Sequence, residues 1–190
     1  MAEMIEIRWH GRGGQGAVTA AKILAQAALG EGRHIQAFPE YGAERRGAPV
    51  RSFTRISADP ITIHSPIHTP QAVAVLDATL LDAVDVTEGL AEDGVLVVNT
   101  VESPAEIRKK LNLKGRKIFT VDATQVSIDC LGKPIPNAPM IGAIMRATSI
   151  LPLAGVINGF RSKFSDKLRP EMIEGNVKAI ERAYEEVKSE

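Results

Sequence analysis

One cysteine in 190 residues, Cys130, is the scarcest resource of this chain. It excludes an internal disulfide and any iron–sulfur cluster held by cysteines of this chain alone. Net charge is also absent, because 23 basic and 23 acidic residues cancel. No global field recruits nucleic acid or a membrane surface, and no nucleic-acid motif appears. Long apolar runs are missing too: Pro, Gly or charge interrupts each one before the roughly 18 residues a membrane span needs. The N-terminus lacks the basic leader and apolar core of a signal peptide, so a soluble cytoplasmic protein is expected. His64 and His68 stand four apart, but Pro66 between them breaks the helix that would pair them on a metal.

What is present is 44% hydrophobic residues, enough for the core of one α/β domain spanning residues 1–190. The stretch Trp9-His10-Gly11-Arg12-Gly13-Gly14-Gln15-Gly16-Ala17 organises it. Met4 to Trp9 alternates apolar and polar residues, as a strand does. From Ala17 to Leu29 the residues are mostly Ala, Val, Ile and Leu, with Thr19, Lys22 and Gln26 forming one narrow polar stripe. That predicts a helix buried on most sides and ended by Gly30 and Gly32. A strand, a glycine turn and a helix start make an anion-binding corner, since free N–H groups and the positive end of the helix dipole converge there. Gly11, Gly13 and Gly16 also satisfy G-x-G-x-x-G. A dinucleotide site would further need an acidic residue near the end of a second strand. The candidate is Glu40, which Pro39 and Tyr41-Gly42 place in a turn.

His34 to Phe38 reads as the second strand. The loop from Pro39 to Pro49 follows, in which Arg45 and Arg46, framed by glycines, suit a phosphate or carboxylate; a solvated turn or a partner contact is the alternative. Val50 to Ile56 alternates as a strand, with Arg51, Phe53 and Arg55 on a face expected to be partly wet or covered by a partner. Further strands are expected at 61–64, 73–76, 95–98 and 117–121, and helices at 78–90, 103–111 and from Asp122 to Gly132. Ser103-Pro104-Ala105-Glu106 carries a capping-box pattern. This alternation predicts a three-layer α/β sandwich with a mainly parallel sheet and helices on both faces. Pro134, Pro136 and Pro139 read as a rigid connector. The apolar helix from Met140 to Leu151 and the stretch to Ile157 belong either in the chain's own core or under another subunit, and some cover by a partner is expected. Pro170 starts a last helix with one apolar stripe, Ile173, Val177, Ile180, Tyr184 and Val187.

Three passages carry a resemblance: Gly11-Arg12-Gly13-Gly14-Gln15-Gly16, the loop Pro39-Glu40-Tyr41-Gly42-Ala43-Glu44-Arg45-Arg46-Gly47-Ala48-Pro49, and Asn137-Ala138-Pro139-Met140-Ile141-Gly142-Ala143. From about residue 4 to the end the chain resembles the gamma subunit of the 2-oxoacid:ferredoxin oxidoreductases of anaerobic metabolism, most closely the pyruvate or 2-oxoisovalerate type. The resemblance implies a cytoplasmic hetero-oligomer with alpha, beta and delta subunits. Such a complex oxidatively decarboxylates a 2-oxoacid on thiamine diphosphate and magnesium, passes electrons through iron–sulfur clusters to ferredoxin, and delivers the acyl group to coenzyme A. It places thiamine diphosphate, magnesium and the clusters on partner chains, leaving this chain inactive alone and with no catalytic or metal-binding residue. The gamma chain takes a structural place and a part in binding coenzyme A. Gly11, Arg12, Gly13, Gly14, Gln15, Gly16, Arg45 and Arg46 are the expected contacts. The loop Glu44 to Pro49 leans towards pyruvate. Two other readings stay open: a free-standing NAD or FAD oxidoreductase, motivated by Gly11, Gly13 and Gly16, and a pure scaffold, motivated by the apolar segment 140–164.

Overall fold

The computed structural model describes residues 4–40 and 47–190. Its first strand, β1 (Ile5–Arg12), buries Ile7 and Trp9 on one face and Arg8 and His10 on the other. The strand runs past Trp9 because Gly11 and Arg12 still pair with Val50 and Pro49 of the antiparallel β3 (Pro49–Ser57). Between them lie α1 (Ala17–Gly30) and β2 (His34–Pro39). As the stripe predicts, Thr19, Lys22 and Gln26 are exposed, while the alanines at 17, 20, 21, 25, 27 and 28 are buried.

The second half supplies β4 (Ala72–Val75), β5 (Val95–Asn99), α2 (Pro104–Leu111), β6 (Lys117–Val121) and α3 (Ala123–Leu131). Then come α4 (Asn137–Thr148), α5 (Leu153–Phe164), α6 (Pro170–Glu186) and the two-residue β7 (Lys188–Ser189). The sheet order is β2-β3-β1-β4-β5-β6-β7. β1, β4, β5 and β6 form its parallel centre, while β3 and β7 run antiparallel to their neighbours.

Alternate residues of the strands build two cores. Ile7, Trp9, Ala72, Ala74 and Val97 meet α1 and α3–α6 on one face, whereas Val73, Val75, Leu96, Val98 and Ile118 meet Ile107 of α2 and Leu80 on the other. The three layers are present but uneven, because five of the helices share one face.

Four expectations change. The helix expected over 78–90 is only a short 3-10 turn, Ala78–Asp82. Asp77 does cap it, its carboxylate accepting from Thr79 N–H at 2.9 Å. Beyond it, Asp85 accepts from both the N–H and the hydroxyl of Thr87, an Asx turn that competes with helical hydrogen bonding. The stretch 61–64 is not a strand, for the carbonyl of Ile63 accepts from Gln36 and Arg55 side chains. α4 begins at Asn137 and takes Pro139 into its first turn, where a missing N–H costs nothing. The expectation for the arginine face of β3 changes only in part: the Arg51 side chain is 39% exposed, whereas Arg55 is 1% exposed. Its guanidinium pairs with Glu6 at 2.7 Å and donates to the carbonyl of Ser65, so this chain's own segment covers it.

The apolar start of α4 is likewise covered from within, while Pro152 and Ala154 further along the segment are exposed. Met140, Ile141, Ala143, Ile144 and Met145 are all at most 1% exposed in the lone chain. Gly142 makes the packing possible: a methyl there would lie 2.0 Å from the carbonyl oxygen of Ile180 on α6.

Candidate anion-binding turn

The chain leaves β1 towards β3 on one side of the sheet and later returns through β4 on the other, so the carboxyl end of β1 is a topological switch point, the place where open α/β sheets bind ligands. Residues 13–16 form the turn there. Gly14 and Gly16 have φ of +100° and +83°, a region that disfavours side chains. Gly16 is the N-cap of α1 and no side chain caps that helix, which leaves its first-turn N–H groups open to an anion.

Not every N–H of the turn is free. Gly13 N–H donates to the carbonyl of Ala48 at 3.0 Å and Gln15 N–H to that of Arg12 at 3.0 Å. Among the described residues the N–H groups without a backbone partner are therefore those of Gly14, Gly16 and the helix start. Gln15 acts through its side chain. Its oxygen accepts from Arg12 N–H and its Nε2 donates to Asp77, each at 2.7 Å. Asp77 also accepts from the Thr79 hydroxyl at 2.6 Å and lies 3.4 Å from the Arg12 Nε. Burial pushes the Asp77 carboxyl up, but the bonds from Thr79 and Gln15 and the Arg12 charge outweigh it and hold it below the ordinary carboxylate value.

Arg12 is thereby tied to the turn. Its Nε and one terminal nitrogen donate to the Thr79 hydroxyl at 3.1 and 2.8 Å, and the other terminal nitrogen to the carbonyl of Gly47 at 3.2 Å. Among the described residues three of its five N–H donors find partners, and one on each terminal nitrogen does not. Asn137, at the start of α4, closes the far side: a methyl on Gly16 would stand 2.8 Å from its Nδ2. Gly11 lies in β1 beneath the turn, its missing side chain admitting Ala17. Arg45 and Arg46 lie outside the described residues.

The comparisons with known proteins agree on what this arrangement belongs to. The family model for pyruvate ferredoxin/flavodoxin oxidoreductase matches residues 6–186. The chain is 50% identical over 182 residues to the pyruvate/ketoisovalerate oxidoreductases common subunit gamma of Pyrococcus abyssi, covering 96% of each. The chain belongs to the pyruvate ferredoxin/flavodoxin oxidoreductase family, as a gamma-type subunit. Among solved structures, the pyruvate oxidoreductase subunit PORC of Thermotoga maritima superposes on this gamma-type chain with a TM-score of 0.86 at 46% identity, covering 98% of both. A 2-oxoglutarate:ferredoxin oxidoreductase of Magnetococcus marinus, solved with 2-oxoglutarate, coenzyme A and succinyl-CoA bound, reaches a TM-score of 0.74 over 95% of this chain and 30% of that one. At 16% identity it speaks for the fold alone.

The gamma-type fold also bears on the dinucleotide reading. In a dinucleotide-binding unit the second strand lies beside the first, and its end supplies the ribose-binding acid. Here β3 separates β2 from β1, and the Glu40 carboxylate is occupied by Arg51. The glycine pattern is satisfied without the strand order that gives it that meaning. Sequence reasoning missed Asp77, Thr79 and Asn137 as neighbours of the turn. No local signal brings residues 77–79 or 137 to residue 12, since only the sheet order and helix packing do so.

Proposed function

We propose that this gamma-type chain serves a pyruvate-type oxidoreductase complex with alpha, beta and delta partners, ferredoxin as electron acceptor and the cytoplasm as its location, and that its turn holds a phosphate of coenzyme A. One observation carries the cofactor reading. An uncapped helix start and a guanidinium with two donors that no described residue takes converge on a glycine turn at the switch point of the sheet. A diphosphate-bearing acyl carrier needs that donor set. Arg45 and Arg46, which precede Gly47 in the sequence, would add the further charge such a ligand calls for.

The redox groups belong elsewhere in this reading. A single cysteine does not fit a cluster that takes four thiolates, and among the described residues no three His, Cys, Asp or Glu side chains gather as a metal site. We assign thiamine diphosphate, magnesium and the clusters to the partner chains. No described helix is long and apolar enough to cross a membrane. Pyruvate is the proposed oxoacid, with the branched-chain acids as the second reading, because the Pyrococcus abyssi relative is named for both.

The test is made in the reconstituted complex. A charge-assisted contact is worth about 1.5–3 kcal/mol, so Arg12→Ala should raise the KM for coenzyme A roughly 10- to 150-fold. Arg45→Ala and Arg46→Ala should act in the same direction. Cluster reduction by the oxoacid without coenzyme A should stay unchanged. An unaltered KM in all three variants overturns the cofactor reading.

A further inference from the structure

The sheet ends differently on its two sides. β7 closes one edge with Lys188 and Ser189, followed by Glu190, a short and charged end that resists pairing with a further strand. β2 forms the other edge over His34–Pro39, and this longer strand holds no Lys, Arg, Asp or Glu. Both of its faces are occupied by this chain. Ile35 packs against the core that α1 shares, while Gln36 on the opposite face accepts from Arg55 at 3.0 Å and donates to the carbonyl of Ile63 at 2.9 Å. A neutral strand with covered faces and an unblunted rim is a template for one more strand.

The pairing with β3 decides which main-chain groups that rim presents. Glu40 N–H donates to the carbonyl of Arg51 at 2.9 Å, in register with the antiparallel ladder that joins β2 to β3. Bonded positions alternate along such a ladder, so His34, Gln36 and Phe38 turn their N–H and carbonyl groups towards β3, while Ile35, Ala37 and Pro39 turn theirs away from it. Among the described residues nothing accepts from the N–H of Ile35 or Ala37. Pro39 has no N–H, and that of Arg33 is spent on the carbonyl of Ala28 at 3.0 Å. The outward ladder thus consists of Ile35 and Ala37, each with a donor and an acceptor, and is closed on both sides by residues without a donor to give.

We propose that β2 pairs with β2 of a second copy of this chain, antiparallel about a two-fold axis at Gln36, so that Ile35 of each copy lies opposite Ala37 of the other. Donor supply selects this register. Sliding the second copy by two residues one way sets Ile35 opposite Pro39, whose missing N–H leaves the Ile35 carbonyl unmatched; sliding it the other way sets Ala37 opposite Arg33, whose N–H is already used. Slips by an odd number of residues oppose outward groups with inward ones. Centred on Gln36, every outward N–H and carbonyl of Ile35 and Ala37 finds its mate. The same register sets Ile35 beside Ala37 on the α1 face and His34 beside Phe38 on the other, with no like charges opposed. A strand without charge gives a charged partner nothing to recognise, whereas its own sequence, reversed by the two-fold axis, completes it.

Ala37→Pro is the discriminating variant. It removes one outward N–H and leaves the ladder with β3 intact, a change that edge strands tolerate. Sedimentation of the full-length chain should show a dimer that forms as concentration rises, and Ala37→Pro should stay monomeric with its melting temperature nearly unchanged. A second test does not depend on that variant folding. Across the axis the two Gln36 residues form a non-hydrogen-bonded pair with Cα atoms about 4.5 Å apart, a separation a disulfide spans. In a Cys130→Ser background, Gln36→Cys should therefore oxidise to a covalent dimer, while Ile35→Cys and Ala37→Cys, each opposite a residue that is not cysteine, should not. A wild-type chain that stays monomeric at millimolar concentration overturns the proposal, as does a dimer that Ala37→Pro leaves intact. Cross-linking through Gln36→Cys to a different subunit of the reconstituted complex, in place of a second copy of this chain, overturns it too.

Discussion

His10 shows how much of this molecule is settled by single side chains. It is 2% exposed, and its Nε2 accepts from the Nε of Arg8 at 3.0 Å. Burial, then the charges of Arg8 and Arg51, push its pKa down to about 3. The neutral ring is required in the folded state, whereas the unfolded chain binds a proton near its ordinary value of 6.5. Stability from this residue is therefore complete above pH 6.5 and is lost as the pH falls from there towards 3, by up to about 1.4 kcal/mol per pH unit. Chemical denaturation at pH 6.5 and 5.0 should show the chain losing about 2 kcal/mol, and His10→Gln, which keeps an acceptor for Arg8, should lose clearly less. Equal losses in both proteins would remove His10 as the cause. None of this shows in the sequence, where His10 is one more residue beside a glycine turn. The glycines themselves were legible, because a strand and a helix cannot be joined so tightly otherwise. Which amides remain free was not, since Ala48 reaches Gly13 only through the pairing of β1 with β3.

At the scale of elements, local chemistry was readable wherever the determinants sit within a few residues. Ser103 and Glu106 form the reciprocal cap their spacing announces, and Gly132 ends α3 in the left-handed conformation. The stretch 78–90 failed because its apolar residues at a near-helical spacing are outvoted by the Asx turn at Asp85 and by Gly89. A methyl on Gly89 would lie 1.9 Å from the carbonyl oxygen of His68, so the chain must cross there as glycine. The α4–α6 contact depends on a similar approach. Gly142→Ala should destabilise the chain by about 1–3 kcal/mol or more despite alanine's better helix propensity, because the methyl meets backbone rather than a movable side chain. Thermal unfolding checks it: a raised melting temperature would mean that α4 and α6 part without cost.

For the whole molecule, the class of fold was legible from alternating strands and helices, while the order of strands was not. The antiparallel β3, inserted between β2 and β1, is set by long-range pairing that no window of sequence displays. That insertion separates the glycine turn from a dinucleotide site and brings Gly47 and Ala48 against Gly13. This chain's own helices close over Met140 to Met145, while Pro152 and Ala154 stay exposed, so the full chain should fold alone and still show no turnover when given oxoacid, thiamine diphosphate, coenzyme A and an electron acceptor. Turnover by the isolated chain would contradict its place as one subunit of an oxidoreductase complex.

The central claim is that the free amides of the turn hold a phosphate. Titrating the full-length, ¹⁵N-labelled chain with coenzyme A and following backbone amide shifts tests this directly. The account predicts saturable changes concentrated at Gly14, Gly16 and Ala17, with Gly13 and Gln15 moving less. Saturable changes centred elsewhere, or none at concentrations that saturate the complex, would contradict it.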